Sequence, residues 1–157
     1  MEKSKKELRK SYEYKIYQNE LRAFGGVALG TFLLFLFFGI VIEMLGLLVV
    51  SVPFFILFVG YGIYDIRLMI RITDQDSNWK YGKAVLTNPE PSFFNRTVCF
   101  TAEIEGEDDK VHKIETKPIA TSVYFGVFRQ PFSELNNKKV LVKYNLKTRE
   151  VFVLELL

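Results

Sequence analysis

AFGGVALGTFLLFLFFGIVIEMLGLLVVSVPFFILFVGYGIY, residues 23–64, carries a single charged side chain, Glu43. An α-helix rises about 1.5 Å per residue, so crossing a hydrocarbon layer of about 30 Å takes roughly 20 residues. The stretch is about twice that length, and one continuous helix would overshoot the layer. Two spans joined by a tight turn fit it, near Ala23–Val41 and Leu47–Tyr64. The turn is expected at Ile42-Glu43-Met44-Leu45-Gly46, where the lone carboxylate meets a helix-ending glycine. A soluble hairpin is the poorer account, because a domain this small cannot cover so many apolar side chains. The apolar run is too long for a cleavable signal, and no Ala-x-Ala pattern follows it, so the helices are expected to remain.

The flanks give an orientation. Lys3, Lys5, Lys6, Arg9, Lys10, Lys15 and Arg22 precede the first span, and Arg67, Arg71, Lys80 and Lys83 follow the second. The connecting turn has no Lys or Arg. Basic residues stay on the cytoplasmic side, so both termini are expected there, in the cell (inner or plasma) membrane. Tyr61, Tyr64 and Trp79 are placed for the inner headgroups. Gly26 and Gly30 form a small-xxx-small pair that lets a second helix approach closely, either the other span of this chain or that of another protein or a second copy. Pro53 removes one helix hydrogen bond from the second span, with Ser51 near the freed carbonyl.

Residues 1–22 read as a charged N-terminal helix, with Leu8, Tyr12 and Ile16 at i, i+4 spacing. It can lie on the membrane surface, extend the first span into water, or pack on the following domain. Residues 65–78 continue the second helix as Ile66–Ile72 and then break at Asp74-Gln75-Asp76-Ser77-Asn78. From residue 79 to 157 the apolar period changes to two. Val98, Phe100, Ala102 and Ile104 alternate with polar neighbours, and Val140, Val142 and Tyr144 alternate with Lys139, Leu141 and Lys143. Hairpin turns are expected at Gly106-Glu107-Asp108-Asp109 and Asn145–Arg149, with strands at Tyr81–Thr87, Lys110–Thr116 and Glu150–Leu156. Pro118–Pro131 reads as a short strand or a loop over a barrel mouth. The expected fold is a membrane α-helical hairpin followed by a small, mainly antiparallel β barrel or sandwich.

Gly82-Lys83-Ala84-Val85, then a long hairpin, then Lys139-Val140-Leu141-Val142-Lys143-Tyr144-Asn145, all behind two membrane helices, resembles an uncharacterised family of small bacterial membrane proteins with a cytosolic β domain. The resemblance runs from about residue 23 onward. It implies that layout and supplies no activity.

Chemistry is sparse. His112 is the only histidine and has no nucleophile nominated beside it, whereas a general base needs both within hydrogen-bond reach. Cys99, the only cysteine, lies on a strand between Val98 and Phe100, a structural position, and excludes an intrachain disulfide or a Cys-rich metal site. Glu103, Glu105, Glu107, Asp108 and Asp109 read as a solvated turn, since their spacing is no EF-hand. A net charge of +3 with basic and acidic residues interleaved is not the stripe a nucleic acid requires. Neither catalytic residue, metal nor cofactor is therefore expected. Tyr124, Phe125, Phe128 and Arg129 form an aromatic group with a cation, which reads as barrel core or as a contact patch of the kind found at binding hot spots. With Gly26 and Gly30 they are the candidate partner-binding residues. The expected partners are the lipid bilayer and another membrane protein or a second copy. The expected function is a non-catalytic accessory or regulatory membrane protein. The alternatives are an immunity-type protein neutralising a membrane-active toxin and, behind it, a membrane-surface enzyme.

Overall fold

The computed structural model describes residues 3–41, 45–91, 97–105, 111–120 and 135–157. Helix α1 (Lys5–Leu8), α2 (Tyr12–Val41) and α3 (Leu45–Thr73) precede strands β1 (Lys80–Pro91), β2 (Thr97–Glu105), β3 (Val111–Glu115), β4 (Ile119–Ala120), β5 (Lys139–Asn145) and β6 (Glu150–Leu156). The chain divides into two compact units, Tyr17–Met69 and Met1–Ile16 with Ile70–Leu157.

In the first unit α2 and α3 are long and apolar enough to cross a membrane, and only 11% of each apolar window is buried. Leu33, Leu34, Ile40, Ile56 and Leu57 are each more than half exposed, a surface that water would penalise heavily. The helices meet antiparallel. Phe24 faces Phe58 at 6.4 Å and Phe32 faces Phe55 at 4.7 Å between ring centroids. A Cβ on Gly62 would stand 3.3 Å from Leu21 Cδ1, so the approach there is close. α3 runs through Pro53 without interruption. The expected turn residues 42–44 lie outside the described residues.

In the second unit the strands form one antiparallel sheet in the order β3-β2-β1-β5-β6, with β4 pairing β2. Alternation in β2 puts Val98, Phe100, Ala102 and Ile104 in a core with Ala84, Leu86, Val140, Val142, Tyr144, Val151 and Val153. Tyr144 lies close over Gly82, where an added Cβ would stand 3.1 Å from its ring. The polar face carries a cross-strand pair, Lys113 Nζ to Glu103 Oε1 at 2.8 Å. As β3 ends, Thr116 takes over the ladder: Phe100 N–H donates to its Oγ1 at 2.9 Å, and its own N–H donates to Phe100 O at 2.8 Å. The Asn145–Arg149 turn is built on Asn145 Oδ1, which accepts from the Lys147 and Thr148 N–H groups, with Arg149 at φ 53°.

The barrel or sandwich expectation is corrected: the sheet is open. It curls far enough for Lys117, just after β3, to reach Glu150 at the start of β6 (3.8 Å). Among the described residues no backbone ladder joins β3 to β6. A physical reason lies at β6, where the Val153 N–H donates to the carboxylate of Glu13 at 2.7 Å. The N-terminal segment sits there. Leu8 is fully buried, Tyr12 and Ile16 pack against the sheet core, and Glu13 is 1% exposed. Of the placements open to that segment two occur together: from Tyr12 it is continuous with the helix of the first span, and Tyr12 and Ile16 pack against the sheet core. It starts as a short capped turn, Ser4 Oγ accepting from Glu7 N–H while Glu7 Oε2 accepts from Ser4 N–H. Trp79 also departs from expectation: it is buried, 5.7 Å from the Phe152 ring, not placed for headgroups.

Candidate functional site

Gly26 follows Phe24 by two residues, and Gly30 follows Ala28 by two. At about 100° per residue, two steps carry a position to the far side of the helix. Phe24, Ala28 and Phe32 therefore make the contact with α3, and Gly26 and Gly30 look away from it. Both glycines are exposed, and a Cβ added at either would meet nothing within 4 Å among the described residues. Of the two uses open to the pair, packing on this chain's own second span is not the one seen. Gly25 is equally open, so α2 carries a shallow strip where another backbone can come near. The other candidate contact residues, Tyr124, Phe125, Phe128 and Arg129, lie outside the described residues, as does the acidic turn 106–109.

The best-organised polar constellation is one that alternation concealed. Lys143 belongs to β5 and its side chain is fully buried. Its ammonium donates to Ile72 O at 2.8 Å, to Arg71 O at 3.2 Å and to Asp74 O. The last carbonyls of a helix have no partner inside it and carry the negative end of its dipole. Lys143 supplies three donors and a positive charge to the end of α3. The Trp79 ring lies under the ammonium at 4.6 Å, and Trp79 Nε1–H donates to Asp74 Oδ2 at 3.4 Å. Burial pushes the Lys143 ammonium down to about 8, and the charge of Asp74 acts in the opposite direction.

Asp74 opens a tight polar turn. Asp76 N–H donates to Asp74 Oδ1 at 3.3 Å, and Asn78 Nδ2–H donates to Asp76 Oδ2 at 3.0 Å, which holds the Asp76 carboxyl below the usual range. Arg71 pairs outward with Glu150 at 3.2 Å. Lys3 forms an ion pair with Glu155 at the other end of β6.

Two residues of the helical unit add an acidic feature. Asp65 is 6% exposed on α3, in the segment that follows Gly62, and Glu20 of α2 lies within its electrostatic reach. Cys99 is half-buried. Burial, and then the carboxylates of Glu115 and Glu90, push its thiol above the ordinary range, which keeps it in the unreactive form. His112 pairs with Ile104 in the β2–β3 ladder. Among the described residues no three of His, Cys, Asp and Glu gather closely enough to hold a metal ion.

Sequence reasoning passed over Lys143 and Glu13. Lys143 alternates with core residues, so it reads as solvent-facing, and Glu13 sits in a charged helix start. A signal was available in Val151-Phe152-Val153-Leu154, four consecutive apolar residues that are all buried. A run without alternation means that both faces of that strand are covered. No family model, curated protein or solved structure matches the chain.

Proposed function

We propose that the chain is a non-catalytic accessory membrane protein that docks on another membrane protein through the Gly26–Gly30 face of α2. In this reading α2 and α3 cross the cell membrane as a hairpin, both termini are cytoplasmic, and the sheet domain stands at the inner surface. The basic flanks support the orientation, and the largely unburied apolar surface of both helices supports the insertion.

The observation that carries the docking is the open glycine strip. Glycine costs helix stability relative to alanine, and in lipid the return for that cost is a close helix–helix approach. Among the described residues nothing fills the strip, and this reading assigns it to another membrane protein. The test is purification of the tagged full-length protein from its native membrane in mild detergent, alongside a Gly26→Leu/Gly30→Leu variant. A stoichiometric membrane partner that is lost from the variant, with helicity unchanged, supports the proposal. A chain that purifies alone, or a partner that remains with the double variant, overturns it.

A further inference from the structure

We propose that the β5–β6 hairpin senses the relative position of the two helix ends, with Lys143 gripping the end of α3 and Glu13 joining the start of α2 to β6. The inference rests on α2 and α3 lying in a bilayer, and it assigns the sheet domain a task that docking alone does not require.

The two attachments are opposite in design. One is a cation on a strand that reaches helix carbonyls, and the other is an anion on a helix that reaches a strand N–H. Both are buried, so water cannot replace either partner when it moves. The ammonium sits among the carbonyls of residues 71, 72 and 74, which wrap the helix end. A tilt of the helix lengthens one of these bonds while shortening another, and hydrogen bonds weaken steeply away from their preferred geometry.

The attachments fall on neighbouring strands. β5 lies between β1 and the edge strand β6, so a pull on Lys143 enters a strand that is paired on both sides. Movement of one helix end against the other becomes a shear of β5 against β6. The ladder between them has its irregularity at Leu141/Val142, opposite Val153, the residue that Glu13 holds. A bulge leaves the ladder locally disrupted and the strand bent, so pairing is weakest there. The shear is therefore delivered to the one point of this ladder that is already interrupted.

The test uses the full chain in nanodiscs of dilauroyl, dioleoyl and dierucoyl phosphatidylcholine, whose increasing thickness changes helix tilt through hydrophobic mismatch. Amide exchange is followed by mass spectrometry in the last turn of α3, in β5–β6, and in β1–β2 as a fold control. The expected result is that β5–β6 exchange changes severalfold, about threefold or more, across the series, while β1–β2 does not. In Lys143→Met the last turn of α3 still responds but β5 no longer does, and Lys143→Arg, which keeps donors and charge, retains the response. A wild-type β5–β6 hairpin indifferent to thickness overturns the proposal by itself, and so does an unaltered response in Lys143→Met. Should Lys143→Met lose β1–β2 protection, Lys143→Gln is read in its place. Freely exchanging α2 and α3 amides would instead fell the membrane reading, an outcome distinct from protected helices with an unresponsive hairpin.

Discussion

The ammonium of Lys143 has three N–H bonds and three carbonyl oxygens to receive them, at a helix end where Arg71 O also accepts from the Asp74 N–H. Lys143→Met keeps the length of the side chain and removes its three donors, taking the ammonium from the Ile72 and Asp74 carbonyls, while Arg71 O keeps the Asp74 N–H. A loss of roughly 1–3 kcal/mol is expected, read from the denaturant midpoint of the sheet domain. The pH dependence has a definite sign. The folded chain releases the Lys143 proton near 8, whereas the unfolded chain holds it to about 10.5. Between these values the unfolded state binds more protons, so stability rises with pH across that window. Below pH 8 both states carry the charge and this dependence vanishes. Midpoints at pH 7.5 and 10 check the rise, which Lys143→Met should lack. Cys99 offers a second residue-level test. With its thiol pushed up by burial and by Glu115, it should react with a maleimide more slowly than a free thiol at neutral pH. Glu115→Gln should speed the reaction without reaching the free-thiol rate, because burial remains the larger cause. Lys143 was invisible in the sequence because alternation assigns a strand only one buried face, and here the second face is covered as well.

Among the elements, the junction of helix and strand is where graded substitutions are informative. Glu13 holds the Val153 N–H through one carboxylate oxygen. Glu13→Gln retains an acceptor and should cost little, whereas Glu13→Ala strands a buried donor and should cost roughly 1–3 kcal/mol. Amide exchange at Val153 should rise in the alanine variant and remain near wild type in the glutamine one. Thr116→Val removes the hydroxyl that accepts from Phe100 N–H, and a similar loss of order 1 kcal/mol is expected in the same unfolding assay. Much at this scale was legible. Period two in 98–104 and 140–144 located β2 and β5, and of the Leu8, Tyr12, Ile16 stripe Tyr12 and Ile16 pack against the sheet core while Leu8 is buried. Closure of the sheet was not legible, because residue periodicity records which face is buried and says nothing about whether two edge strands exchange hydrogen bonds. Here one β6 donor is taken by a helix side chain, and the edges stay unjoined.

For the whole molecule, the distribution of apolar residues does most of the specifying. The 23–64 stretch forecast two long apolar helices, and the change of period after residue 79 forecast a sheet behind them. The two glycines on α2 were recognisable as a pair, but their direction was not, since facing or avoiding α3 depends on which of two opposite helix faces carries the aromatics. Phe24→Ala together with Phe58→Ala should loosen the α2–α3 contact, whereas Gly26→Leu/Gly30→Leu should leave it intact. Helix–helix proximity in detergent, measured between labels on the two helices, separates these outcomes.

The connection between β1 and β5 has a consequence for biosynthesis. The first strand of the sheet finds its β5 neighbour only after β2, β3 and β4 have been made, and Lys143 emerges from the ribosome 71 residues after the Ile72 carbonyl that it covers. Until then the end of α3 is bare and β1 offers an unmatched edge, a state that chaperones bind and proteases clip. A message cut short before β5 would yield both long helices with no finished domain behind them. Such a product lacks the lysine clasp altogether, so a protease that recognises exposed strand edges could separate complete copies from incomplete ones without inspecting any site of action.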